Sequence, residues 1–292
     1  MILDTFYIIL PIIFVGIGGY LLSRIFALSE ETLVRIVTDF FMPILVFHSL
    51  YTSKIILSET VKLFWAVTIT LLILICCSLL YCLFFRLNFK SFSPPILFMN
   101  SGFIGIPLMK LWGGAAAVNI IVVYDQLQTL YIFTLGIFIV TGELTLSGLK
   151  EMVKCPLLWA ILAGFTFNFL LIPLPSYILD TLEFGGNCAP ALAIFALGCS
   201  VSKRKVRFNG HLLSGLILRF FIGFAAGWIA SALLGIDGME RSVILIASSL
   251  PSAVFSVVLP MRYGIDPEFA GSMIIASCIS GIFIMPLVIY FA

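Results

Sequence analysis

Long apolar runs alternate with short polar links along the whole chain. Most runs reach the roughly 20 residues that a helix needs to cross a bilayer. Ten spans are predicted, near residues 4–23, 33–52, 61–85, 93–111, 115–141, 155–174, 180–201, 210–234, 240–260 and 267–291. The runs do not alternate in steps of two, so a membrane barrel is disfavoured. No long hydrophilic loop or low-complexity tract interrupts the series. The expected fold class is an all-α polytopic membrane protein with ten transmembrane helices.

Two of these runs are broken from within. Met99-Asn100-Ser101-Gly102-Phe103-Ile104-Gly105-Ile106-Pro107-Leu108 carries an amide, a hydroxyl, two glycines and a proline. Ser248-Ser249-Leu250-Pro251-Ser252-Ala253-Val254-Phe255-Ser256 sets four hydroxyls around one proline. Backbone freed by such residues must find partners inside protein or line a water-filled cavity. The breaks fall in spans four and nine, and Pro43 in span two has a counterpart in Pro190 of span seven. The chain therefore reads as two halves of five spans, 1–142 and 155–292, joined by a cytoplasmic link at 143–154. An odd number of spans per half makes the repeat inverted. Paired interruptions in corresponding spans point to a binding site near the midplane, where spans four and nine cross.

Composition agrees with the pattern: 62% of the 292 residues are hydrophobic and 10% are charged, and mean hydropathy is +1.20. Basic residues set the orientation. Eleven of the 16 lie at or beside odd-numbered links, the densest run being Lys203-Arg204-Lys205-Val206-Arg207. Lys54, Lys62, Lys110 and Arg241 lie at even ones. Odd links are thus expected in the cytoplasm and both termini outside, in a cell (inner) membrane. The basic run is a topology signal first, with lipid binding as the lesser reading. No basic patch interleaved with aromatics points to nucleic acid. The seven cysteines form no C-x-x-C pair and neither histidine has a ligand partner at i+4, so no metal site or cofactor is expected. The run from Phe6 to Leu22 reads as a first span rather than a signal peptide.

Few residues in the spans can carry chemistry. Asp125 is the sharpest, because an ionisable group inside a span is costly. On a helix it shares a face with Gln128 and Thr129, and it is a candidate to bind a coupling cation or carry a proton. Asn100, Gln128 and Thr129 are its expected partners. Asn100, Ser101, Gly102, Ser252 and Ser256 are the expected substrate contacts; Asp125, Gln128, Thr129 and Asn100 are the expected ion-coupling set. Arg219 is expected to snorkel to the cytoplasmic interface, His48 to pack through a hydrogen bond, and Asn168 to join helices. No constellation of facing aspartates, Ser/His pairs or metal ligands supports catalysis, so no catalytic residues are assigned.

Asn100 followed by Gly105-Ile106-Pro107-Leu108 and Lys110, then Asn187-Cys188-Ala189-Pro190-Ala191-Leu192-Ala193 with Leu197-Gly198, then Leu250-Pro251, Tyr263-Gly264-Ile265-Asp266 and Pro286, resemble the auxin efflux carrier family in order and spacing over nearly the whole chain. The resemblance implies two inverted five-helix repeats with crossed broken helices in spans four and nine, a fold shared with bile-acid sodium symporters. It implies a scaffold of spans 1, 2, 6 and 7, often dimeric, and transport spans 3–5 and 8–10 that move as an elevator. The family's plant members have a proline where Met99 stands here, their span-nine proline matches Ser256, and many have a long central loop; a compact microbial carrier fits better. The expected function is a secondary active transporter of a small organic anion, with sodium or a proton open as the coupling ion. Its expected partners are that substrate, membrane lipids and a second copy of the chain. A channel or a ligand sensor on the same fold is the alternative.

Overall fold

A computed structural model describes residues 2–52, 57–141, 153, 156–203, 207–208, 210–266 and 268–292. The expected link at 143–154 lies outside them apart from Val153, as do Lys54, Arg204 and Lys205. The described chain is helical: α1 (Ile2–Ile25), α2 (Glu30–Ile36), α3 (Met42–Thr52), α4 (Leu57–Phe85), α5 (Phe89–Phe92), α6 (Pro94–Leu97), α7 (Ile106–Tyr131), α8 (Ile137–Thr141), α9 (Pro156–Phe169), α10 (Ser176–Gly186), α11 (Cys188–Ser202), α12 (Gly210–Ile217), α13 (Gly223–Leu234), α14 (Gly238–Ser248), α15 (Phe255–Arg262) and α16 (Glu268–Phe291). Four π-helical turns, Val37–Phe41, Ser101–Gly105, Ile132–Gly136 and Leu218–Ile222, lie between them. Among the described residues, six helical stretches are long and apolar enough to cross a membrane: Glu30–Thr52, Thr60–Phe85, Ser101–Val140, Ser176–Ser202, Gly210–Leu234 and Glu268–Phe291. Leu10–Ile25 and Trp159–Phe169 are apolar but shorter.

The 40-residue stretch Ser101–Val140 is not one rod. Gly114 interrupts it with φ 63° and ψ −151°, a conformation open essentially to glycine alone. Ser101 and Asp125 would stand roughly 36 Å apart on a straight helix at 1.5 Å per residue. Their side chains instead meet at 2.7 Å, so the chain doubles back at Gly114 and two arms lie side by side.

Helices pack in two sets. In the first, α1 lies on α11, and α3 lies on both α9 and α10. Glycine lets the α1 and α11 backbones touch: a Cβ on Gly19 would overlap the carbonyl of Phe195, and one on Gly198 that of Gly16. Asn168 ties α9 to α3 by donating to the Tyr51 carbonyl at 2.7 Å, the joining role its position predicts. In the second set, α4 lies on α13, α13 on α14, and α14 on α7. The sets meet where α1 and α3 touch α7 and where α11 meets the turn Ser101–Gly105, and α16 lies against both α1 and α14.

Candidate functional site

Prolines at 94 and 95 start α6 and fix its first turn. It lasts four residues before Phe98 extends (φ −104°, ψ 115°) and Asn100 turns (φ −84°, ψ 59°) into the next helical segment. Across from it, α14 ends at Ser248 and helix resumes at Phe255. The two unwound segments pair as an antiparallel bridge between Met99 and Ser252. The Asn100 amide donates to the Pro251 carbonyl at 2.8 Å, and the Ala253 amide to the Phe98 carbonyl at 2.9 Å. Pro251 has no N–H to offer, but its carbonyl is used.

Each break frees carbonyls, and side chains from elsewhere take several of them. The Ser256 hydroxyl donates to Pro94 at 3.1 Å and the Ser252 hydroxyl to Pro95 at 2.6 Å. Gln128 Nε2 donates to the Met99 carbonyl at 2.8 Å. Arg219 donates through Nη1 to the Ile96 carbonyl and through Nη2 to the Ser248 carbonyl. Its guanidinium therefore spans the C-terminal ends of both interrupted segments, where backbone partial charge is negative. Arg219 is fully buried. That corrects the expectation that it snorkels: the π turn Leu218–Ile222 faces it inward, and nearness to a span end is a measure of depth, not of helix face.

On the other side of the bridge lies a cavity of about 70 Å³. Asn100, Gly102, Asp125 and Thr129 give its polar wall with Thr38; Met42, Met99 and Phe103 are among its apolar lining. The Asn100 side chain accepts from the Phe103 amide at 3.2 Å through Oδ1, capping the turn that follows. Its Nδ2 is buried and has no hydrogen-bond partner among the described residues. A buried N–H without an acceptor is costly and calls for an account. Asp125 Oδ1 accepts from the Ser101 hydroxyl at 2.7 Å, and Oδ2 from Gln126 Nε2 at 3.3 Å. Ser101 also reaches Gln128 Oε1 at 3.4 Å. Gly102 keeps the carboxylate close: a Cβ there would stand 3.2 Å from Oδ1.

Of the sequence-predicted residues, Asn100, Gly102, Asp125 and Thr129 meet at the cavity, with Ser101 and Gln128 directly behind them. Ser252 and Ser256 do not line it; their hydroxyls are engaged with α6. The sequence reading missed Thr38 and Met42, which enter from the second span. It also missed the π turns. Three of them, Val37–Phe41, Ser101–Gly105 and Ile132–Gly136, each give at least one residue to this cavity. Such turns are rare and concentrate at functional sites, but an inserted residue leaves no mark in an apolar run.

The model of a family described as membrane transport protein matches residues 5–145 and 140–289. A transporter of Methanothermobacter thermautotrophicus, described as uncharacterized, is 29% identical over 96% of this chain and 95% of its own length. A second such transporter, from Methanocaldococcus jannaschii, is 29% identical over 93% of this chain and 92% of its own. Auxin efflux carrier component 5 of Arabidopsis thaliana is 23% identical over 64% of this chain and 66% of its own.

Proposed function

Since the chain belongs to the membrane transport protein family, the family of the auxin efflux carriers, we propose that it is a secondary active transporter of a small organic anion, working by elevator-type alternating access. The family is one of transporters, not of enzymes. The observation that carries the substrate class is Asn100 Nδ2, a buried donor with no described acceptor on a cavity wall. A carboxylate oxygen is the acceptor it suits. Helix starts at Ser101 and at Phe255 border the same cavity, and helix N-terminal ends favour an anion.

Asp125 stands beside that position, so an incoming carboxylate meets a fixed negative charge. A proton or sodium ion on Asp125 removes the conflict, which makes it the coupling residue, with Ser101, Gln128 and Thr129 supplying further oxygens. Ser252 and Ser256 enter this proposal as fasteners of the bridge. In this reading the first packing set, from spans one, two, six and seven, serves as the scaffold, and the second, from spans three, four, five, eight and nine, as the moving unit. An inverted repeat of ten spans, both termini outside a cell membrane and a dimeric scaffold belong to the same proposal.

A thermal-unfolding screen of the purified protein against two- to four-carbon carboxylates tests the site. A ligand of the folded state raises the midpoint. At least one acid should do so in the native chain and none in Asn100→Asp, which keeps the Oδ1 cap but turns the free donor into a repelling oxygen. An acid that stabilises both proteins equally contradicts the assignment.

A further inference from the structure

On another face of the protein, a groove of about 460 Å³ runs between α1, α11 and α16. Its wall includes Gly16, Tyr20, Val201 and Ile279, and Pro251 of the bridge lies at its floor. Tyr20 and Cys278 are the only lining residues with a polar side-chain atom. A space of this size and character accepts neither water nor a carboxylate: water needs two or more polar partners, and an ionised group without partners is strongly penalised. Within a bilayer, the abundant chemistry that fits is an acyl chain.

One end of the groove is charged. α1 and α11 run side by side in the same direction, with Cys199 against Gly19 at 3.2 Å and Lys203 Nζ donating to the Leu28 carbonyl at 2.7 Å. The end marked by Tyr20 and Val201 therefore leads to Arg24, one turn on along α1, and to Lys203, two residues on at the end of α11. The Arg24 guanidinium lies 5.5 Å from the centre of the Tyr20 ring, within 3.5 Å of its hydroxyl, and is otherwise exposed. Among the described residues, neither Arg24 nor Lys203 forms an ion pair with a carboxylate. Glu30, bonded to Ser200 at 2.5 Å, is an acid at this end. Against it stand Arg24 and Lys203, followed in sequence by Arg204 and Lys205.

We propose that this groove is a lipid site: it holds one acyl chain of an anionic glycerophospholipid whose phosphate rests on Arg24 and Lys203. The site lies on the side that the basic residues assign to the cytoplasm, where anionic headgroups and juxtamembrane basic residues attract. The chain seats against Pro251, so lipid occupancy and the geometry of the bridge are coupled through direct contact.

The test is thermal unfolding of the full chain in a neutral detergent, titrated with dioleoyl phosphatidylglycerol, dioleoyl phosphatidylcholine or glycerol phosphate. Phosphatidylglycerol should raise the midpoint by on the order of 5 °C at a hundredfold excess over its Kd. Phosphatidylcholine should raise it less, and glycerol phosphate not at all. Arg24→Gln, at an exposed position, should bring phosphatidylglycerol down to the phosphatidylcholine level. Ile17→Trp, at a half-exposed lining position, should cut the response to both lipids. Equal responses to the two lipids in the native chain, an undiminished preference in Arg24→Gln, or stabilisation by glycerol phosphate alone would overturn the proposal.

Discussion

Asn100 does two jobs with one amide. Oδ1 caps the helical turn beginning at Ser101, while Nδ2, on a residue that lines the cavity, is buried with no partner among the described residues. Substitutions separate the two. Asn100→Ala removes both and should cost about 1 kcal/mol of stability for the lost cap, read as a lowered unfolding midpoint; Asn100→Asp should keep the cap and lose the ligand, its added carboxylate beside Asp125 lowering the midpoint through like-charge repulsion. Asp125→Asn keeps the side chain's size and its bond from Ser101 but cannot take up a proton or a full ionic partner. Substrate movement in that variant should follow the substrate gradient alone; an undiminished response to an imposed sodium or pH gradient would remove Asp125 from the coupling role. The sequence makes both residues visible for the same reason, that polar groups within an apolar span are expensive. It does not make their roles in the bridge separable: Ser252 and Ser256 look as promising as Ser101, and only geometry gives the first two to the Pro95 and Pro94 carbonyls and the third to Asp125.

At the scale of elements, two breaks are made tolerable by partners borrowed from other helices. The bridge between Met99 and Ser252 answers two backbone groups, and Arg219 answers the helix ends on both sides. Arg219→Met should leave the Ile96 and Ser248 carbonyls without donors and cost about 2–6 kcal/mol, at about 1–3 kcal/mol per unsatisfied buried group. Arg219→Lys, with one compact charge in place of a fork, should recover only part. Faster amide exchange in both interrupted segments, and not in α1 or α11, is the expected signature; a uniform rise or none would contradict a clamp. The breaks themselves were legible, since Asn, Gly, Pro and clustered Ser announce them. The clamp was not, because a lone arginine's depth in a span says nothing of which neighbour it faces, and the π turn that carries it shifts the face away from the simple 3.6-residue period.

For the whole molecule, apolar run length anticipated an all-helical membrane protein, and six helical stretches among the described residues are long and apolar enough to cross a membrane. Other runs resolve into shorter pieces, as at α14 and α15 on either side of the bridge, where length alone cannot tell a span from two half-spans. The two packing sets touch through polar pairs. Ser49 on α3 meets Asn119 on α7 at 2.5 Å, and Lys110 on α7 meets Asn187 beside α11 at 2.5 Å. Movement of one set past the other must break both. A disulfide between Ser49→Cys and Asn119→Cys, in a background without other cysteines, should therefore stop turnover on oxidation and release it on reduction. Undisturbed turnover in the oxidised protein would argue against a moving unit.

The most direct measurement is uptake of labelled two- to four-carbon carboxylates by proteoliposomes containing only this chain, under imposed pH, sodium and substrate gradients. The account predicts that at least one acid accumulates above its equilibrium level, driven by a cation gradient, and that Asn100→Asp abolishes this. Flux no greater than in protein-free liposomes, for every acid and every gradient, would contradict it.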